Sequence, residues 1–99
     1  MRLGEEQIRQ LKRLAAEEAG PQALLRLFGS RLDDRATGGD VDLLLEVPEP
    51  VPDPAWLIAH MAARASRILG GRKVDVLLAA PNLQRFPIHE AALRQGVAL

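Results

Sequence analysis

The stretch "PEPVPDP", Pro48 to Pro54, constrains this chain more than any other. Proline lacks an amide hydrogen and locks φ, so four prolines in seven residues cannot extend a β-ladder. The leucine run before it, Asp40 to Val47, must therefore end there as a strand, and the seven residues form a stiff connector. At its far end Asp53 and Pro54 have the form of an N-cap and a first helical residue. Leu57, Ile58, Met61, Ala62, Ala65, Ile68 and Leu69 then recur on one helical face until Gly70-Gly71 stops the helix. That helix covers a sheet.

The remaining segments follow from the same punctuation. Leu3, Ile8, Leu11, Leu14 and Ala15 keep a three-and-four spacing, with Glu5 and Glu6 in the first turn and Gly20-Pro21 as the stop. These features predict an amphipathic first helix. Ala23 to Phe28 reads as a short, mostly buried strand, broken at Gly29-Ser30 where the loop "RLDDRATGG" begins. With Asp40 to Val47 it forms a long-looped hairpin or a pair of neighbouring strands. Lys73 to Ala79 is a third strand, "PNLQRF" a loop, Pro87 to Arg94 a short helix, and Gly96 to Leu99 a tail able to add an edge strand. The expected class is α/β (α+β), in one domain over residues 1–99.

Composition narrows the function classes. The 99 residues carry 13 basic and 13 acidic side chains, and this balance argues against a protein built to grip nucleic acid through its phosphates. With Trp56, Phe28 and Phe86 as the three aromatics, little is available for stacking on bases, and Phe28 and Trp56 read as core. No apolar run approaches the length of a membrane span. The opening "MRLGEEQIRQLKRL" lacks the apolar stretch of a secretory signal and there is no cysteine, so the expected location is cytoplasmic. Charge is unevenly distributed. Asp33 to Asp53 holds seven acids and one base, whereas Arg64, Arg67, Arg72 and Lys73 follow with no acid before Asp75.

The aspartates carry the chemistry. Strand side chains alternate, so Asp40 and Asp42 share a face while Val41, Leu43 and Leu45 take the other. Carboxylates placed side by side repel and resist desolvation, and a divalent cation relieves both costs. If Asp75 lies on an adjacent strand with its side chain on that face, the three form an oxygen-only site suited to Mg²⁺ or Mn²⁺. His60 and His89 lack metal-ligand spacing and are poor candidates. Gly29 and Ser30, following a strand, allow backbone amides and a hydroxyl to approach phosphate oxygens. Each signal alone is common, and acids at strand ends are most often plain surface charge; the ordered set is specific.

That set, "LFGSRLDDRATGGDVDLLLE" with "KVDVLLA" and the ending "PIHEAALRQGVAL", strongly resembles the minimal nucleotidyltransferases of the DNA polymerase β superfamily, over about Ala23 to Leu99. The resemblance implies the nucleotidyltransferase fold, a mixed β-sheet flanked by helices. It also implies that Gly29 and Ser30 contact the triphosphate, that Asp40 and Asp42 chelate two Mg²⁺ ions (Mn²⁺ being an alternative), and that Asp75 completes the nucleophile-side metal. Family members often place ten residues between the serine and the first aspartate, where this chain has nine.

The activity so implied is transfer of a nucleoside monophosphate, AMP from ATP being the expected case, to an acceptor hydroxyl. The chain has no room for an acceptor-binding domain, so a second protein is expected to supply the acceptor. Minimal nucleotidyltransferases of this type pair with small helical HEPN toxins, and the resemblance implies an antitoxin that modifies such a partner. The competing reading is a binding module that neutralises its partner by complex formation alone. An exposed apolar patch on the first helix or around "NLQRF" is the expected docking surface.

Overall fold

The computed structural model describes residues 3–28 and 41–99. Gly29, Ser30 and Asp40, assigned from sequence to the phosphate and metal site, lie outside the described residues, as does the loop between them.

The described elements are α1 (Glu5–Ala19), β1 (Leu24–Phe28), β2 (Val41–Glu46), α2 (Pro54–Ile68), β3 (Val74–Ala79), α3 (Pro87–Gln95) and β4 (Val97–Ala98). The sheet order is β3-β2-β1-β4. β1 pairs antiparallel with β2 and with β4, whereas β2 and β3 are parallel, so the sheet is mixed, as the sequence predicts. β1 and β2 are antiparallel neighbours, as the sequence predicts, and the tail does add an edge strand. The parallel pair follows from the connector: seven proline-rich residues and a helix lie between β2 and β3, so the chain returns to the start of the sheet before re-entering it.

Local chemistry sets the helix ends. Gln7 Oε1 accepts the Gly4 amide at 3.0 Å at the head of α1. Asp53 caps α2 by accepting the Trp56 amide at 3.1 Å, and Pro54 occupies the first turn. Gly70 and Gly71 adopt positive φ, 74° and 90°, and turn the chain from α2 into β3.

Leu25, Leu27, Val41, Leu43, Leu45, Val74 and Leu78 form one sheet face, packed on Leu11, Leu14, Leu57, Met61 and Ala65 of α1 and α2. The other face is covered by α3, where Leu44 and Ala79 meet Ala92, with Phe28, Leu77 and Leu93 at the margin. Leu43, Leu44 and Leu45 are all fully buried because both faces are covered at that point. Between the helices, the Arg64 guanidinium donates to Glu18 Oε2 at 2.6 Å and to Glu17 Oε1 at 3.0 Å, joining α2 to the end of α1. The bond to Glu18, then that to Glu17, raises the Arg64 pKa further above its already high ordinary value.

One sequence expectation needs correction. Trp56 is not core: it is 56% exposed and stacks on His60 with ring centroids 4.5 Å apart. The buried stripe of α2 runs through Leu57, Met61 and Ala65, and Trp56 lies about 100° round the helix from Leu57. β1 is mostly buried, as the sequence predicts: Leu25 and Leu27 are buried, Arg26 and Phe28 half-buried, and Leu24 is 58% exposed.

Candidate functional site

In the parallel ladder Asp42 and Asp75 are direct register partners, and in the antiparallel one Phe28 partners Asp42. Partnered residues project to the same side, so Phe28, Asp42 and Asp75 form one row across three strands on the α3 face. Neighbouring strands lie about 4.8 Å apart, which sets the spacing of the two aspartates at their backbones. The next row on that face, Arg26, Leu44 and Leu77, passes under α3. The acidic row lies beyond that cover, Asp42 half-buried and Asp75 exposed.

The physical reason for this position is directional. β2 and β3 both begin at this end, and the chain leaves β1 at Phe28 and re-enters the sheet at Val41 there. The ladder continues one residue past β3, because the Val41 amide donates to the Lys73 carbonyl at 2.9 Å. Phe28 is half-buried against the Leu44 and Ala92 cluster, as expected of a core residue.

Two oxygen-donor carboxylates on one face, one partly sheltered, suit a hard divalent cation in kind. Among the described residues no group of three or more His, Cys, Asp or Glu side chains forms a metal cluster. Asp40, the third residue of the predicted set, is outside those residues.

Sequence reasoning set the histidines aside as ligands, and the structure gives each another role. His89 is buried: its Nδ1 accepts the Phe86 amide at 3.0 Å, so its Nε2 carries the proton and donates to the Leu78 carbonyl at 3.1 Å. His60 Nε2 lies 3.2 Å from Glu18 Oε2. Sequence reasoning also missed Arg26, whose Nε donates to Glu46 Oε1 at 2.8 Å on the α3 face; a single arginine in a strand carries no signal of its partner.

A cleft of about 390 Å³ opens at the other end of the sheet, walled by Gly20, Pro21, Pro48, Pro50, Val51 and Leu57. It lies about 16 Å along β2 from Asp42 and contains none of the predicted site residues. The connector wall is pinned by Asn82, which accepts the Val51 amide and donates to the Val51 carbonyl, each at 2.9 Å. No helix among the described residues is long and apolar enough to cross a membrane.

No protein-family model matches this chain, and no curated protein does. Solved structures do. A crystal structure of a mutant of the toxin–antitoxin MntA–HpeT superposes with a TM-score of 0.61 at 20% identity, covering 98% of this chain and 71% of that one. A crystal structure of a toxin–antitoxin with AMP-PNP superposes with a TM-score of 0.64 at 19% identity, covering 97% and 72%. What the chain shares with these two toxin–antitoxin structures is its fold.

Proposed function

We propose that this protein is a metal-dependent nucleotidyltransferase antitoxin that moves AMP from ATP to a hydroxyl on a helical HEPN-type partner. The observation that carries the reading is the Asp42–Asp75 register: two carboxylates far apart in sequence stand in one row at the end of the sheet where the chain leaves β1 after Phe28. The fold it shares with toxin–antitoxin structures, one of them with AMP-PNP, supports a protein partner and a nucleotide.

In this reading Asp40, Asp42 and Asp75 hold Mg²⁺ or Mn²⁺, and Gly29 and Ser30 receive the triphosphate. The bound ions supply Lewis acidity at the acceptor oxygen and charge neutralisation at the α-phosphate and leaving pyrophosphate. The acceptor oxygen forms a bond to the α-phosphorus as the bond to the β-phosphate oxygen breaks, and pyrophosphate leaves with that electron pair. The acceptor proton passes toward the Asp75 carboxylate, which is exposed and able to release it to water.

The test is transfer of α-labelled nucleotide to a co-purified partner. Asp42→Asn should lower transfer by two orders of magnitude or more while the complex still forms. Near-normal transfer by that variant would refute the reading. Protection of cells by an inactive variant that still binds would instead favour neutralisation by complex formation.

A further inference from the structure

Next to the acidic row stands a cation. The Val41 amide donates to the Lys73 carbonyl, so the peptide that joins Lys73 to Val74 lies in the ladder, and Lys73 is two positions before Asp75. Strand alternation then directs Lys73 to the same face as Asp75 and Asp42, about 6.8 Å along the strand from Asp75 at the backbone. The Gly70-Gly71 turn, with both residues at positive φ, delivers the chain into that extended segment. Lys73 is exposed, and α3, which covers this face further along, does not reach it.

An ammonium beside two carboxylates has two electrostatic consequences of opposite sign. It disfavours a bare divalent cation at the carboxylates and favours a polyanion arriving with one. We propose that Lys73 is a phosphate-binding residue that reads the charge of the nucleotide's phosphate chain, selecting triphosphate over monophosphate. This rests on the nucleotidyltransferase reading above but adds a residue and a selectivity to it. The ammonium is compact, strongly hydrated and carried on a flexible stem, which suits it to a ligand that comes and goes.

The opposite signs give the test. Mn²⁺ binding without nucleotide, and binding of ATP, ADP and AMP with Mn²⁺, are measured by calorimetry on the wild-type chain and on Lys73→Gln and Lys73→Arg. In Lys73→Gln, Mn²⁺ alone should bind equally or about two- to threefold more tightly. ATP should bind about five- to tenfold more weakly, ADP less so, and AMP nearly unchanged. The ATP loss should shrink as salt rises, because the side chain is exposed. Lys73→Arg should restore most of the ATP affinity. If wild type binds ATP and Lys73→Gln binds it equally well, or loses ATP and AMP affinity alike, the inference is wrong while the nucleotidyltransferase reading stands. If wild type binds neither Mn²⁺ nor nucleotide, both fall together.

Discussion

The buried imidazole of His89 on α3 donates to the backbone carbonyl of Leu78 on β3, which lies at one edge of the sheet. The direction of that carbonyl follows from the ladder. The Val41 and Val47 amides donate to Lys73 and Ala79, so the carbonyls of Lys73, Asp75, Leu77 and Ala79 face β2, and those of Val74, Val76 and Leu78 face outward. His89 thus caps the exposed edge of β3 with its Nε2 and the head of α3 with its Nδ1, accepting the Phe86 amide.

Replacing His89 should cost both contacts at once. His89→Ala is expected to lower stability by about 2 kcal/mol, and the unsealed edge should raise the tendency to self-associate. His89→Phe keeps the volume without the bonds. Chemical denaturation with light scattering checks this, and a Phe variant as stable and monodisperse as wild type would show that packing alone holds the contact.

The Asp42–Asp75 pair should bind metal at the expense of stability without it. Thermal melts with added Mn²⁺ are expected to rise for wild type, by the amount that mass action gives for a ligand bound only by the folded chain. Asp75→Asn should lose that rise and, without metal, melt at the wild-type temperature or up to about 2 °C higher, because a like-charge repulsion is gone. A metal response that persists in Asp75→Asn would remove Asp75 from the metal site.

Gly96 ends α3 and lets the chain turn at once into β4. A Cβ there would lie 2.4 Å from the Ala92 carbonyl oxygen, too close for the backbone as it stands, and a tight 3.3 Å from Arg26 Cβ. Gly96→Ala should therefore destabilise by about 1–3 kcal/mol and detach β4. Hydrogen exchange reads this at Leu99, whose amide donates to the Leu25 carbonyl at 3.0 Å; unchanged protection there would contradict it.

The two bonds from Asn82 to Val51 should separate by substitution. Asn82→Asp keeps an acceptor for the Val51 amide but removes the donor to its carbonyl, so amide protection at Val51 should fall modestly. Asn82→Leu should abolish that protection, at a cost of about 1 kcal/mol. Equal protection in both variants would mean that the connector is held by its prolines alone.

Much of the architecture was legible because it is local. Proline at Pro48 to Pro54 forbids a strand, Asp53-Pro54 starts a helix, paired glycines at 70 and 71 end it, and apolar spacing defines the buried faces of α1 and α2. The placement of Trp56 was misread because composition counts an aromatic without its helical phase.

What the sequence alone determined was which residues are acidic, which alternate with them, and where each element must stop, since these depend on chemistry within a few residues. Tertiary packing set what remained: Asp42 stands opposite Asp75, and α3 covers Leu44 while leaving that row open. Register is fixed by burying both faces of the sheet at once, a condition met by the whole packed chain and by no single segment of it.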